Sequence, residues 1–287
     1  MKIIIFLSII ICVIFNSIEL SNSIITSFNL CFNNLFPSII PFMLVSNFLL
    51  DYNFFYNIKS VLKLNKHALG PILLSSIVGS PTIALYLKCE YDKKLINSFD
   101  IEKVINIFHF TNPLFIINTV GVTFLENKNL GVIIFLSQYI GVFILYLLFK
   151  NKQFSDNDFS SKLNSCSFFS VLNKSILSIY NTLLLILGTI VFTSAVMCLF
   201  RINNTIFCPL IEITQGLNFI KNMDINIYLK TIISTFTICF GGISIHFQIF
   251  SILDNKKIRY LPYLLSRLLH AIISSFICII MLFLFFN

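Results

Sequence analysis

The sequence predicts an all-α, polytopic membrane protein of about eight membrane segments. Hydrophobic residues make up 57% of the 287 residues, charged residues only 11%, and the mean hydropathy is +0.90. A soluble domain carries about 25% charged residues and has no need of several apolar stretches of about 20 residues, the length that crosses a bilayer. Helix-breaking residues also interrupt two of these stretches at comparable places. We therefore expect two pseudo-repeats, each with a broken or re-entrant helix.

Five apolar segments make up the first half. They lie at 3–20, 28–50, 68–87, 101–123 and 130–149. The first has a basic start but no small-residue cleavage site, so we expect an uncleaved membrane helix. The connection 54–66 is amphipathic and basic, with Lys59, Lys63 and Lys66, as is typical of an interfacial helix. Gly79-Ser80-Pro81-Thr82 divides the third segment into two half-spans, which favours a re-entrant hairpin.

The second half follows a polar linker. Its segments lie at 176–200, 206–220, 229–253 and 260–286, and the glycine pair Gly241-Gly242 interrupts the third. We predict a first membrane repeat over 1–149 with its break near 79–82, a polar linker over 150–170, and a second repeat over 171–287 with its break near 241–244. SSIVGSPTIALYL (75–87) pairs with FTICFGGISIHFQ (236–248) when Gly79 is set on Gly241.

The net charge of +8 does not indicate a nucleic-acid-binding protein. The lysines lie mostly in short connections between apolar runs, where they set membrane topology, and no basic stripe carries interleaved aromatics. With a cytoplasmic N-terminus, the basic connections of the first half fall inside. An inverted second half would put Lys256, Lys257 and Arg259 outside, against the positive-inside rule. We expect membrane lipid and a small molecule as partners and no nucleic acid, and protein partners stay open.

Enzyme, metal and cofactor signatures are missing from the sequence. The eight cysteines form no CxxC pair and read as small apolar residues. No GxxxxGK[ST], HExxH or GxSxG motif occurs. We therefore expect no enzyme, no catalytic residues, no cofactor and no metal site.

The broken segments predict a substrate site. Secondary transporters are often built from inverted repeats whose substrate binds near the midplane, at helices broken by Gly or Pro, where half-helix N-termini favour negative charge. The predicted substrate-binding residues are Gly79, Ser80, Thr82, Asn112, Gly241, Gly242, Ser244, His246, Gln248, Arg267 and His270.

Several of these side chains, and their neighbours Glu212 and His109, allow more than one interpretation. Arg267 and His270 share one face of the last segment, and Arg267 could hold a substrate carboxylate, pair with Glu212, or reach towards the interface. Glu212 is a candidate for proton coupling, an Arg267 partner, or a water-exposed residue. Asn112 before Pro113 could cap a half-helix or mark a kink, and the kink is the simpler expectation. His109 is expected to be a packing histidine, and His246 with Gln248 could equally be a polar pair that stabilises helix packing.

A family resemblance follows from four motifs. GGISIHFQIFSIL with IRYLPYLLSRLLHAI, EITQG (212–216), FPSIIPFMLVSNFL (36–49) and NPLFIINTVG (112–121) resemble the YlbJ-type sporulation integral membrane proteins of the nucleoside-recognition Gate group. The resemblance spans about 25–280, and departs from the family pattern at Ile83 and at the FHFT run before Asn112. It implies a cell or forespore membrane of an endospore-forming bacterium, and a role in moving dipicolinic acid across a forespore membrane.

Three functions stay open on the sequence. The first is a secondary transporter of a small organic anion, with dipicolinate as the best candidate by resemblance. The second is a nucleoside or nucleobase transporter of the same fold, which would use neutral hydrogen-bonding groups in place of Arg267. The third is a non-transporting scaffold in spore assembly, in which both breaks would be packing kinks that tolerate larger residues. Coupling ion, direction of transport and oligomeric state do not follow from the sequence.

Overall fold

A computed structural model describes residues 10, 12–52, 54, 66–149, 167–202, 205–254 and 258–286. Every regular element in these residues is helical, as predicted. The first half contains α1 (Ser17–Asp51), α2 (Lys66–Val78), α3 (Thr82–Asp92), α4 (Ser98–Ile107), α5 (Phe115–Phe124) and α6 (Lys128–Phe149). The second half contains α7 (Phe168–Leu199), α8 (Cys208–Ile211), α9 (Ile213–Lys221), α10 (Ile227–Phe240), α11 (Gly242–Leu253) and α12 (Tyr260–Phe286).

Within the described residues, five helical stretches are long and apolar enough to cross a membrane. They are Ser17–Asp51, Lys128–Phe149, Phe168–Leu199, Ile227–Leu253 and Tyr260–Phe286. This composition and length confirm the polytopic fold class. Several predictions fall outside the described residues: positions 3–9 of the first segment, most of the 54–66 stretch with Lys59 and Lys63, the linker 150–166, and Lys256 with Lys257.

Helix α1 is one continuous helix, whereas the sequence predicts two separate segments in this region. It runs without a gap through 21–27, which were expected to separate 3–20 from 28–50, and contains a π-helical turn at Cys31–Leu35 just before Pro37. The polar residues in 21–27 do not end the helix because several of their hydroxyls bond back to their own backbone. Ser27 Oγ, for example, donates to the Ser23 carbonyl at 2.8 Å.

Helices α2 and α3 form a re-entrant hairpin whose tip is the predicted break at 79–81. The end of α3, at Asp92 and Lys93, lines the same cavity as Asp51 at the end of α1 and Lys174 near the start of α7. The chain therefore returns to the end of the molecule from which it entered. We call this the basic end, because Lys93, Lys174 and Arg259 lie there.

Helices α8 and α9 form a second, shorter hairpin at the opposite end of the molecule. Residues of α9 from Gln215 to Met223 share a cavity with Glu19 of α1 and Arg201, which follows α7. The tip of this hairpin is Glu212, where the backbone leaves the helical region with φ −135° and ψ 122°. The sequence predicts this segment as a short span at 206–220 and gives no sign of its break.

Two further segments cross the molecule with an interruption at mid-depth. The predicted single segment 101–123 is in fact divided, since α4 ends at Ile107, residues 108–112 are not helical, and α5 follows. Its counterpart is the break between α10 and α11, where Gly241 has φ +91°. The sequence offers two interpretations of Asn112 before Pro113, a half-helix cap or a kink, and favours the kink; the structure shows a break with Asn112 as the cap.

The two halves repeat one order of elements: a long helix, a hairpin, an interrupted helix and an uninterrupted helix. The long helices α1 and α7 pack antiparallel, because Ser27 contacts Ser194 while Asp51 pairs with Lys174. The counterparts α6 and α12 are also antiparallel, with Ser137 beside Met281 and Phe149 near Pro262. Antiparallel counterparts indicate two halves of opposite orientation.

This order of elements matches the breaks of the two halves differently from the sequence. The hairpin tip at Gly79 corresponds by order to Glu212, and the Gly241 break corresponds to residues 108–112, whereas the sequence pairs Gly79 with Gly241. The shift also corrects the expected sidedness. Arg259 bonds Glu102 at the start of α4, with 2.8 Å between Nη2 and Oε1, so it lies at the basic end with Lys93 and Lys174.

Candidate substrate-binding site

The four interruptions meet at one buried cavity of about 50 Å³ between the two long helices. We call it the central cavity. Its polar lining comes from the two hairpin tips and the two interrupted helices, and α1 and α7 supply apolar walls. The lining residues are Leu35, Ile39, Ser80, Pro81, Thr111, Asn112, Phe115, Ile186, Ile190, Glu212, Ile213, Thr214, Ser244, Ile245 and Gln248.

Four half-helices begin at this cavity. Helix α3 starts after Pro81, α5 after Asn112, α9 after Glu212 and α11 after Gly241, and residues in the first turns or caps of all four line the space. Helix N-termini carry partial positive charge and unpaired N–H groups, so their convergence favours a negatively charged or strongly accepting ligand.

The hairpin tip at Gly79 is held against the non-helical segment 108–112. Gly79 adopts φ +91°, and Ser80 N–H donates to the Phe110 carbonyl at 2.7 Å. The Thr82 hydroxyl donates to the Gly79 carbonyl. A side chain at Gly79 would place its Cβ 2.5 Å from the Asn112 nitrogen, so both the conformation and the close approach require glycine.

Asn112 is the cap of α5 and joins three elements. Its Oδ1 accepts the Leu114 and Phe115 N–H groups at 2.8 and 3.2 Å. Its Nδ2 donates to the Ser38 carbonyl of α1 at 3.0 Å and to the Val78 carbonyl at 3.2 Å. Since interrupted helices in a membrane must satisfy their freed backbone groups internally, Asn112 stabilises two breaks at once.

The second half closes on the cavity in a similar way. Gly241 and Gly242 have φ of +91° and +59°, and a Cβ at Gly242 would lie 3.2 Å from the Ile211 carbonyl at the tip of the other hairpin. Ser244 and Gln248 are 1% and 2% exposed. Gln248 Nε2 donates to Thr189 Oγ1 of α7 at 2.8 Å, so the amide joins α11 to a long helix.

Glu212 lies inside the protein, 1% exposed, as the cap of α9. Its Oε2 accepts the Gln215 N–H at 2.7 Å, and Oε1 accepts the Thr214 hydroxyl at 2.9 Å. Burial contradicts the water-exposed interpretation. The described contacts of Arg267 do not include Glu212, so the pairing of these two residues is not observed either. A buried carboxyl group that lines the central cavity remains a candidate for proton coupling.

Arg267 and His270 lie outside the lining of the central cavity, in a second polar cluster. Arg267 is 0% exposed, and its Nη2 donates to the Asn106 carbonyl at 2.7 Å. Nη1 donates to His270 Nδ1 at 3.4 Å, while His270 Nε2 donates to the Gln138 carbonyl at 3.2 Å. The guanidinium also lies 5.6 Å from the Tyr263 ring centroid. Arg267 Nε has no hydrogen-bond partner.

His246 and His109 lie on either side of the Gly241 break and connect this cluster to the cavity. His246 Nε2 donates to the Phe240 carbonyl at 3.1 Å, and its Nδ1 accepts from the Tyr260 hydroxyl at 3.2 Å. His109 Nδ1 lies 3.1 Å from Ser80 Oγ, and its ring centroid is 6.3 Å from that of His270. We use the name His-Arg cluster for His109, His246, His270, Arg267 and Tyr263.

Of the predicted residues, Ser80, Asn112, Glu212, Ser244 and Gln248 line the central cavity. Gly79, Thr82, Gly241 and Gly242 form the adjacent breaks, and His246, Arg267 and His270 lie in the His-Arg cluster. The sequence missed Thr111 and Thr214, although both adjoin residues that it singled out. It also missed the apolar walls Leu35, Ile39, Ile186 and Ile190, which nothing in a uniformly apolar helix distinguishes.

Besides the Asp51–Lys174 pair, a second ion pair joins the two halves outside this site. Arg259 Nε and Nη2 donate to Glu102 Oε1 at 3.0 and 2.8 Å. These hydrogen bonds, with the charge of Glu102, raise the pKa of the Arg259 guanidinium.

Comparison with known proteins supports the resemblance predicted from the motifs. No family model and no solved structure matches the chain, so its place in the Gate group stays a prediction. The chain is 22% identical to the sporulation integral membrane protein YlbJ of Bacillus subtilis (strain 168) over 306 residues, which cover 87% of this chain and 74% of that protein. The similarity to this sporulation integral membrane protein agrees with the resemblance that the motifs predict, and the long apolar helices show a multi-pass integral membrane protein.

Proposed function

We propose that this protein is a secondary transporter of a small organic anion during sporulation, with dipicolinate as its substrate. The observation that carries the proposal is the convergence of four half-helix N-termini on one buried polar cavity. Interrupted helices and re-entrant hairpins at mid-depth cost backbone hydrogen bonds, and membrane proteins use them where a ligand or ion binds.

The size of the cavity corresponds to a closed conformation. About 50 Å³ holds one or two water molecules, since a water occupies roughly 30 Å³ of the liquid. An aromatic dicarboxylate enters only when the hairpins or the long helices separate. Alternation between such closed and open forms is the usual behaviour of inverted-repeat transporters.

Anion binding has two sources of positive potential. The half-helix N-termini act directly at the cavity, and Arg267 acts from the neighbouring His-Arg cluster through His109, which contacts Ser80. Dipicolinate has two carboxylates on one ring, so one of them could face the α3 and α5 termini and the other the α9 and α11 termini.

A nucleoside substrate is the second candidate, and the cavity lining favours it. The polar groups that line the cavity are hydroxyls, amides and one carboxylate, and none of the lining residues is a cation. Gln248 and Ser244 could therefore recognise the edges of a neutral base. The scaffold interpretation, in contrast, requires breaks that tolerate larger residues, and the close contacts of Gly79 oppose it.

Uptake by purified protein in liposomes separates these functions. We expect saturable uptake of labelled dipicolinate, inhibited by unlabelled dipicolinate and not by uridine. Gln248→Leu should reduce uptake at least tenfold, because it replaces a cavity amide with an apolar group of similar size. Asn118→Leu is the matched control, since Asn118 is exposed and lies outside the cavity lining.

The same variants can be tested in spores. We expect this chain to restore dipicolinate to spores of a Bacillus subtilis strain that lacks YlbJ, and Gln248→Leu to fail at equal membrane abundance. Uptake of uridine in place of dipicolinate would identify the second candidate. Absence of uptake of either compound by well-folded protein, with spore assembly disturbed, would support the scaffold.

A further inference from the structure

A three-way hydrogen-bonded contact lies between α1, α7 and α9, away from the central cavity. Gln215 Nε2 donates to Ser27 Oγ at 2.9 Å and to Ser194 Oγ at 2.7 Å, and the two serine oxygens are 2.8 Å apart. Ser27 and Ser194 are both 0% exposed. We call this contact the polar triad. The sequence analysis gives Ser27 and Ser194 no role, and it gives Gln215 only a place in the EITQG motif (212–216).

The triad stands between the central cavity and open space. An open, polar cavity of about 900 Å³, which we call the vestibule, lies at the end opposite the basic end. It is lined by Ser23 and Cys198, each one helical turn to one side of Ser27 or Ser194. One to two turns to the other side lie Leu35 and Ile190, which line the central cavity.

The third member ties the triad to the hairpin tip. Gln215 lines the vestibule with its side chain, while its backbone N–H bonds the Glu212 carboxylate at 2.7 Å, which lines the central cavity. The triad therefore crosslinks both long helices to the α8–α9 hairpin at the layer that separates the two spaces. Breaking these hydrogen bonds would allow the hairpin to move away from both α1 and α7.

We propose that the polar triad is the gate that closes the central cavity against the vestibule. The inference rests on the proposed function, since a gate serves a transported ligand, but it concerns three residues that are not among the predicted substrate-binding or coupling residues. Polar groups suit this role because they bond one another when the gate is closed and can bond water or a passing ligand when it is open. The gate is thus held by bonds that can exchange partners at little cost.

The rate at which a thiol reagent modifies a native cysteine measures whether this gate is open, and the measurement needs no substrate. Cys31 is 0% exposed and lies one turn beyond Ser27 towards the cavity. Asn22→Cys places a thiol on an exposed residue that lines the vestibule. Membranes containing the Asn22→Cys protein would be treated with N-ethylmaleimide, and the modification of each cysteine followed by peptide mass spectrometry.

In this background we expect Gln215→Ala to raise the modification rate of Cys31 about tenfold. Loss of two buried hydrogen bonds corresponds to about a tenfold change in an opening equilibrium. The thiol at position 22 should react equally in both proteins. Asn218→Ala is the matched control, because Asn218 lines the same vestibule on α9 outside the triad. Cys278, 0% exposed in α12, should stay unmodified throughout.

Two outcomes would contradict the proposal that the polar triad is a gate. One is an unchanged Cys31 rate in Gln215→Ala while the vestibule thiol reacts normally. The other is a parallel rise at Cys31 and Cys278, which would mean that the triad holds the whole fold and not a local barrier. Neither outcome depends on which compound is transported, so the gate and the dipicolinate assignment succeed or fail separately.

A reversible crosslink gives an independent test. Ser27→Cys with Ser194→Cys, added to Gln215→Ala, should form a disulfide on oxidation, since the two side-chain oxygens are 2.8 Å apart in the native chain. We expect oxidation to return Cys31 modification to the wild-type rate and reduction to raise it about tenfold again. A formed disulfide that leaves Cys31 as reactive as before would refute the gate.

Discussion

At the scale of single residues, Gly79 shows why the first hairpin turns where it does. Its φ of +91° is open only to glycine at low cost, and a Cβ there would lie 2.5 Å from the Asn112 nitrogen. We predict that Gly79→Ala lowers stability by about 1–3 kcal/mol from the backbone conformation alone, with a further loss from the clash. The melting temperature of detergent-solubilised protein measures this.

Gly188 is the control for that substitution. It lies within helix α7, and a Cβ added there would meet nothing within 4 Å. Gly188→Ala should leave the melting temperature unchanged or raise it, since Ala is favoured over Gly in a helix by about 0.5–1 kcal/mol. If the two variants melted alike, the close approach at the hairpin tip would not matter for stability.

Glu212 caps α9, and we propose that it also couples transport to protons; one pair of substitutions can separate these two roles. As a cap it needs only an acceptor oxygen, whereas proton coupling needs an ionisable group. We predict that Glu212→Gln keeps the protein folded, because the amide oxygen still accepts the Gln215 N–H, but abolishes proton-driven accumulation of substrate in liposomes. Glu212→Ala should instead cost about 1 kcal/mol of stability through the lost cap.

The contrary result is equally informative. If Glu212→Gln accumulated substrate as well as the wild type under an imposed pH gradient, Glu212 would be a cap alone. Glu212→Asp serves as the charge-retaining control, and it should preserve part of the proton-driven uptake.

At the scale of elements, Asn112 determines where α5 begins. We predict that Asn112→Ala destabilises the protein by about 2–4 kcal/mol, because it removes the cap and leaves the buried Ser38 and Val78 carbonyls without their side-chain donor. Asn112→Asp should be at least as harmful, since it retains the cap oxygen but loses the donor and buries a charge. Both are measured by thermal melting in detergent and by membrane abundance.

An Asn112→Asp protein as stable as the wild type would contradict this account. It would mean that the capping oxygen supplies the whole contribution and that the bonds to α1 and α2 are dispensable.

The elements differ in how far the sequence predicts them. Breaks marked by glycine or proline, at 79–82 and at 241–244, are visible because only these residues suit the backbone there. The break at Glu212 has no glycine or proline at the turn itself, and the break at 108–112 is marked only at its end, by Pro113. These breaks persist because side chains form hydrogen bonds with the backbone N–H groups that the breaks leave unpaired: Asn112 caps α5, and Glu212 caps α9. Such satisfaction depends on tertiary contacts, which one sequence does not display.

At the scale of the whole molecule, the order of elements accounts for the charges. Pairing Gly79 with Gly241 by sequence compared a hairpin tip with an interrupted helix, and so placed Arg259 on the wrong side. With hairpin matched to hairpin, Lys93, Lys174 and Arg259 all lie at one end. The positive-inside rule then predicts that the basic end is cytoplasmic and that the vestibule opens on the other side of the membrane.

Arg259 and Arg267 both join the second half to the first. Comparing their substitutions tests whether the buried charge matters more than the exposed one. Both contact the α4 region, but Arg259 is exposed and paired with Glu102, whereas Arg267 is fully buried and bonds the Asn106 carbonyl. Substitution by Met keeps an apolar stem of similar length and removes the charge. We expect Arg259→Met to change neither stability nor transport appreciably, because exposed ion pairs contribute little.

For Arg267→Met we expect dipicolinate uptake to fall at least tenfold while the melting temperature changes little. Hydrogen bonds within membranes average about 0.6 kcal/mol, so the lost bond to Asn106 is a minor term. At an effective dielectric constant of about 20, a unit charge contributes about 1.4 kcal/mol or more to the binding of an anion at separations of up to about 12 Å, which is a factor of ten in affinity. A large drop in melting temperature with normal uptake per folded molecule would instead make Arg267 a structural link between the halves. If Arg267→Met retained both uptake and stability, we would conclude that the His-Arg cluster does not contribute to anion binding.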